Sequence, residues 1–281
     1  HTRLRFHGPG WPSAKRGTKV MFRSSVLTDH LKAMIASFGF YFYDAPGEAE
    51  AELAKLNECG GIDGIITEDS DTLVFGAPSV QHQSLICTSD SIENPNGVSL
   101  DKDGIFLFAL LLGGNYHPGV SEVGTIIAHA LAKQGFGQKL VTLLRFFDGL
   151  ELTSRLGVWR NSLHHELRTN SSGHLGKHHP KLADEIPDTF PDLRVAQLYL
   201  HLLMSKSPCY TGPVPNVKGW NPKEPYILEL AAFFSAQFGW NGEELLKKFN
   251  SNLWPASFSK IMISSVTSFK LQSILWSLMK C

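Results

Sequence analysis

A helix-forming stretch followed closely by a strand-forming one, both carrying acids at one end, constrains this chain more than any other feature. Pro46 precedes Gly47-Glu48-Ala49-Glu50-Ala51-Glu52-Leu53-Ala54, a run rich in residues of high helix propensity. Proline suits a first helical turn, and acids there lie where the helix dipole favours negative charge. The helix is expected to end near Gly60-Gly61. Ile62 to Thr67 is then apolar and β-branched, the pattern of a buried parallel strand, and it runs out on Glu68-Asp69-Ser70-Asp71.

The flanking sequence extends this alternation. Leu4-Arg5-Phe6 reads as a short strand broken by His7-Gly8-Pro9-Gly10-Trp11-Pro12. Apolar residues at Leu27, Leu31, Met34, Ile35 and Phe38 predict a helix over 26–38, stopped by Gly39 and followed by a strand at Phe40 to Tyr43. Strand, helix, strand, helix, strand implies an α/β sheet. In such sheets ligands bind beyond the carboxyl ends of the strands, where Asp69 and Asp71 fall. Past a turn at Asn94-Pro95-Asn96-Gly97 the chain turns helical. Three short amphipathic helices are expected over 100–150, another over 152–168, a Ser/Gly/His/Lys loop over 170–180, a Pro-rich linker over 208–225, and helices near 227–238 and 242–249.

Composition narrows the function classes. No apolar run approaches the roughly 20 residues of a membrane helix, the most apolar being Ile105 to Leu112, so an intracellular protein without a membrane partner is expected. Cys59, Cys87, Cys209 and Cys281 show neither disulfide nor zinc spacing. His174, His178 and His179 lie among Ser, Gly and Lys, the composition of a solvated loop. The net charge of zero hides an asymmetry: residues 1–40 hold seven Lys or Arg against Asp29, and residues 41–75 hold nine acids against Lys55. Such alternation suits one segment that grips phosphate and a next that collects cations, although solvated surface charge gives the same pattern.

Glu48, Glu50, Asp69 and Asp71 are the candidate catalytic residues, drawn together if the helix after Pro46 and the strand ending at Thr67 share a sheet edge. Clustered carboxylates repel unless cations neutralise them, and Mg²⁺ prefers oxygen ligands. Acids in a first helical turn and an Asp-x-Asp after a strand are also what ordinary helix ends and turns produce. The aromatics Phe233, Phe234, Phe238 and Trp240 recur at helical spacing and are read as core rather than as a base-stacking platform.

Ala45-Pro46-Gly47-Glu48-Ala49-Glu50-Ala51, with Thr67-Glu68-Asp69-Ser70-Asp71-Thr72-Leu73-Val74-Phe75-Gly76 and Leu112-Gly113-Gly114-Asn115-Tyr116, resembles the internal nuclease motif of the XPG family. The flap endonuclease and Holliday-junction resolvase branch is the nearest in pattern. Gly119-Val120-Ser121-Glu122-Val123-Gly124 resembles the hairpin of that family's helix-two-turn-helix, which binds duplex backbone and often K⁺. Trp159 to Pro191, including Glu166-Leu167-Arg168-Thr169-Asn170, is similar to a fungal resolvase-like group, and Trp220 to Leu253 to the helical tail of the nuclease core.

The resemblance implies an α/β fold: a PIN-like nuclease core with a parallel central sheet over 1–100, a helix-two-turn-helix over 101–150 and a helical C-terminal part over 151–281. It implies two Mg²⁺ ions on Glu48, Glu50, Asp69 and Asp71, with Asn115 and His7 standing where the family has acids, and K⁺ at the hairpin. Lys15, Arg16, Lys19, Gly119, Val120, Val123 and Gly124 would then contact nucleic acid. The expected substrate is flapped or branched DNA in the nucleus, with a dimer on four-way junctions and no small-molecule substrate. Relative to the family the sequence starts after the first strand and its Asp, and with His7 and Asn115 this leaves a non-catalytic DNA-binding module as the alternative.

Overall fold

In the computed structural model, residues 14–15, 18–19, 26–82, 85–220 and 223–255 are described. His7, Arg16 and the strand expected at Leu4 to Phe6 lie outside them. The chain forms two compact units, one of residues 1–23 and 43–218 and one of residues 24–42 and 219–281.

The larger unit begins with a minimal antiparallel ladder between β1 (Ala14–Lys15) and β2 (Thr18–Lys19). Its α/β part comprises α2 (Ala49–Glu58), β3 (Ile65–Ile66), α3 (Asp71–Val74), β4 (Ser79–His82), β5 (Leu85–Thr88) and α4 (Ser89–Glu93). β3 pairs parallel to β4, as its apolar run implies, whereas β4 and β5 are sequence neighbours and pair antiparallel. The described sheet is thus small and mixed rather than all parallel.

β3 is shorter than the Ile62–Thr67 run because Asn57, at the end of α2, captures its first residues. The Asn57 amide donates to the Ile62 carbonyl at 2.8 Å and accepts from Ser79 N–H at 2.9 Å, which bends 61–63 into a turn and fixes α2 against β4. Ala54, Ile65, Ala77 and Val80 pack together between these elements.

The helical part follows the amphipathic pattern closely. It consists of α5 (Lys102–Leu112), α6 (Thr125–Lys133), α7 (Phe136–Phe146), α8 (Gly149–Thr169), α9 (Pro180–Glu185) and α10 (Leu193–Leu200). Asp101 caps α5 through the Gly104 N–H at 2.8 Å. Leu107, Leu111, Leu131, Leu140, Leu163 and Leu167 are fully enclosed in one core. Trp159 sits within it, donating Nε1–H to the Phe136 carbonyl at 3.0 Å and meeting the Phe136 ring edge-on. The loop after α8 is anchored through Glu166, a buried carboxylate that accepts from both the Ser171 and Ser172 hydroxyls at 2.5 and 2.6 Å. His174 and His178 are exposed, in keeping with a solvated loop.

The smaller unit pairs α1 (Val26–Ser37) with α11 (Ile227–Phe238), followed by α12 (Gly242–Lys248). Leu230, Phe249 and Leu253 form its core, with Phe38 and Phe234 packed against them. Trp240 stacks on Phe234 at 4.7 Å, Phe233 is half-buried and Phe238 is exposed. The strand expected at Phe40 to Tyr43 does not form: past Gly39, whose φ of +79° ends α1, the chain runs without ladder partners among the described residues. Instead Lys223 N–H bonds the Gly39 carbonyl at 3.2 Å and Tyr41 stacks on Trp220.

Two stability measurements check this packing. Trp159→Ala empties the centre of the helical core and is expected to cost about 3–5 kcal/mol, read as a lowered denaturant midpoint. Burial pushes the Glu166 carboxyl up, but its hydrogen bonds from Ser171, Ser172 and Gln134 outweigh this and hold its pKa below the ordinary value. A depressed folded pKa stabilises above the unfolded value and loses that effect as pH falls through the folded one. Glu166→Gln should therefore be less stable than the parent at neutral pH, with the gap closing below about pH 4.

Candidate functional site

Three separate segments converge on Asn115 and Tyr116, which follow α5. The chain can turn so tightly there because Gly113 and Gly119 adopt φ of +87° and +89° and lie back to back. A side chain at Gly113 would strike the backbone of Pro118 and Gly119, and one at Gly119 the backbone of Leu112 and Gly113. The Gly114 N–H closes the turn on the His117 carbonyl at 2.9 Å.

Asp69 and Asp71 arrive from the end of β3. Asp69 N–H bonds Thr67 Oγ1 at 3.0 Å, and Asp69 Oδ1 accepts from Asp71 N–H at 3.1 Å, so the loop is fixed by its own side chains before α3 begins. Across from them, Asn115 Nδ2 donates to Asp71 Oδ2 at 2.6 Å and Asp69 Oδ2 at 3.3 Å. The amide bridges the two carboxylates.

Glu48 is the N-cap of α2, yet its side chain does not cap the helix. It is 2% exposed and accepts from the Tyr116 hydroxyl at 2.7 Å. Burial, then the charge of Glu48, push the Tyr116 phenol well above its ordinary range, so it remains a donor. Tyr116 packs edge-on against Tyr199, which also meets Phe75 and Phe106. The floor beneath the acids is aromatic.

The other acids of α2 differ in environment. Glu52, also 2% exposed, accepts from Ser205 N–H at 2.7 Å and from the Ser205 hydroxyl. It ties the helix to a distant segment. Glu50 is buried as well, and its Oε2 has no hydrogen-bond partner. Among the described residues no three carboxylate, imidazole or thiolate groups converge closely enough to hold a metal ion. The bridging Asn115 amide and the Tyr116 hydroxyl engage Asp69, Asp71 and Glu48 in place of a shared centre, and Glu50 shares no hydrogen bond with them.

The hairpin from Gly119 to Gly124 links α5 to α6. Val120 N–H bonds the Leu111 carbonyl at 2.7 Å, Val123 is buried, and Gly124 stands at the N-cap of α6. Lys15 and Lys19 lie on the β1–β2 ladder.

The XPG I-region family pattern matches residues 39–114, which carry Glu48, Glu50, Asp69 and Asp71. Flap endonuclease GEN homolog 1 of Mus musculus is 32% identical over 163 residues, 54% of this chain and 16% of its own length. The chain carries the XPG I-region over residues 39–114 and is similar to XPG-family nucleases. DNA repair protein rad13 of Schizosaccharomyces pombe is 27% identical over 233 residues, 78% of this chain and 18% of its own. The chain thus spans less than a fifth of the length of these XPG-family relatives. Among solved structures, the Holliday junction-resolving enzyme GEN1 in complex with product DNA and Mg²⁺ superimposes with a TM-score of 0.63 at 30% identity, covering 87% of this chain and 57% of that one. The catalytic core of Rad2 in complex with DNA substrate shares the fold at a TM-score of 0.57 and 23% identity. These likenesses place the small mixed sheet and its helices with XPG-family nuclease cores and fit a PIN-like fold.

Sequence reading named Glu48, Glu50, Asp69, Asp71 and Asn115 but missed what Tyr116 and Glu52 do. Tyr116 stood in the quoted motif, next to Asn115. Ser205, the partner of Glu52, lies 153 residues away, where no local pattern reaches.

Tyr116→Phe removes the donor to buried Glu48 and is expected to cost about 1–3 kcal/mol. The Tyr116 pKa is raised on folding, so its contribution is present below the unfolded value near 10 and lost as pH rises above it. Urea melts of the two proteins should differ at pH 7 and converge above about pH 10.

Proposed function

We propose that the chain is the core of a structure-specific DNA endonuclease that hydrolyses phosphodiester bonds at flaps or branched junctions. The observation that carries this reading is the attachment of Glu48, Asp69 and Asp71, from two elements distant in sequence, to the consecutive residues Asn115 and Tyr116. It is supported by the I-region match and by the likeness to a GEN1 structure holding product DNA and Mg²⁺.

The chemistry of the donor set suits Mg²⁺, and the carboxylates would have to draw closer together than they stand here to share an ion. All the groups are hard oxygens, and the buried Glu50 Oε2 lacks a hydrogen-bond partner that a cation would replace. Two such ions, when bound, activate water and stabilise the leaving oxygen of a phosphodiester. Glu48, Glu50, Asp69 and Asp71 would hold them. Tyr116 orients Glu48, and a half-turn of the Asn115 amide would offer Oδ1 where Nδ2 now bridges the aspartates. In this reading His7 is a further, weaker position, and Lys15, Arg16 and Lys19 meet phosphates at the 5′ strand. Gly119, Val120, Val123 and Gly124 grip duplex backbone, with K⁺ at the hairpin. The nuclease core over 1–100, the helix-two-turn-helix over 101–150 and the helical part over 151–281 would act in the nucleus, as a dimer on four-way junctions. Among the described residues no helix is long and apolar enough to cross a membrane.

A second reading is a DNA-binding module without catalysis, favoured by the neutral amide at Asn115 where the family has an acid. Labelled flap, nicked and four-way DNAs in Mg²⁺ and Mn²⁺ separate the two. Asn115→Asp is expected to raise Mg²⁺-dependent cleavage about tenfold or more, the scale of changes in a metal's ligand environment. Adding His7→Asp should do more than add, because neighbouring ligands share the same ions. Binding with cleavage at background in the parent and the double variant would leave the module reading, and no binding to any of the DNAs would end both.

A further inference from the structure

Residues 202–217, which follow α10 within the larger unit, form a strap that meets α2 and its flanks in the order of the chain. Just before the helix, Gly47 lies so close to Leu203 that a Cβ on it would stand 2.6 Å from the Leu203 carbonyl oxygen. One turn into the helix, Glu52 accepts from the Ser205 N–H at 2.7 Å and from the Ser205 hydroxyl, both residues being buried. Past the end of the helix, a Cβ on Gly61 would stand 2.8 Å from Val217 Cγ2. The strap is itself braced by short turns. Ser207 N–H bonds the Met204 carbonyl at 3.0 Å, the Ser207 hydroxyl accepts from Met204 N–H at 2.9 Å, and Tyr210 N–H bonds the Ser207 carbonyl at 2.9 Å.

The first two contacts bracket Glu48 and Glu50. Glu50 Oε2 is buried without a hydrogen-bond partner, a costly state for a carboxylate that a helix end free to shift would relieve by turning the group to solvent. A costly arrangement persists only where the surrounding structure enforces it. Gly47 seated on Leu203 and Glu52 bonded to Ser205 supply that enforcement on either side of Glu50. Both oxygens of Glu52 are engaged by Ser205, so Glu52 acts through the helix and not as a ligand.

We infer that the strap positions the α2 half of the candidate metal site, with Glu52 and Ser205 as positioning residues that keep Glu48 and Glu50 in place for a divalent cation. Partners beyond the ligands themselves tune metal affinity by fixing where the ligands stand. With α2 pinned, the approach that sharing an ion requires falls to the side of Asp69 and Asp71. The inference rests on the nuclease reading of these acids.

Mn²⁺ titrations of the full chain, read by electron paramagnetic resonance with circular dichroism as the check on folding, test it. Ser205→Ala removes the hydroxyl donor to Glu52 and touches none of the proposed ligands. It should weaken Mn²⁺ affinity about tenfold, the scale for losing a partner beyond the ligands, while uptake at saturating Mn²⁺ stays that of the parent. Gly47→Ala, which must push the Leu203 carbonyl aside, should weaken affinity in the same direction and keeps the test from hanging on one variant. Glu166→Gln is the matched control: it loosens another buried carboxylate held by serine hydroxyls, on α8, and should leave Mn²⁺ affinity unchanged. Parent-like affinity in either strap variant that keeps its fold, or an equal loss in Glu166→Gln, would overturn the strap's role and leave the metal site standing. Absence of Mn²⁺ uptake by the parent would remove the site and the strap's role together.

Discussion

Buried carboxylates set the terms for this structure. Glu48, Glu50, Glu52 and Asp71 are all largely withdrawn from solvent, and an ionised carboxylate tolerates this only with strong compensating contacts. Three of the four meet donors, and Glu50 Oε2 has none. Tyr116 serves Glu48, Ser205 serves Glu52, and the Asn115 amide joins Asp71 to Asp69. The glycine pair at 113 and 119, the aromatic floor around Tyr199 and the Asn57 clamp on β4 hold those donors where the acids need them. The apolar cores of α2 with β3 and of α5 through α8 supply the rigid frame.

Helices carried by strong periodicity and end signals were legible in the sequence. The expected 26–38, 227–238 and 242–249 are observed as Val26–Ser37, Ile227–Phe238 and Gly242–Lys248, because apolar spacing and stop residues act locally. Strands were less legible, since pairing depends on distant partners. Phe40 to Tyr43 has strand-like residues but no ladder among the described residues, and Asn57 shortens β3 by taking Ile62 into a turn. The antiparallel return of β5 carried no clear signal of its own.

The site divides in the same way. The acids could be chosen from their likeness to the XPG motif, their positions at a helix start and a strand end being shared with ordinary turns, but their contacts could not. That Tyr116 turns Glu48 away from the helix end it would otherwise cap, and that Asn115 bridges two aspartates, are consequences of tertiary placement. The anchoring of Arg160 was equally hidden, since it depends on the Phe190 carbonyl being brought to it.

The central claim is that these acids form a divalent-cation site rather than a set of structural hydrogen bonds. Mn²⁺ binding followed by electron paramagnetic resonance tests it most directly, without DNA and without turnover. Free Mn²⁺ should lose signal on adding the chain, and Asp71→Asn or Glu50→Gln should restore most of it while the fold is kept. Equal Mn²⁺ uptake by the parent and both variants, or none by any of them, would contradict the account.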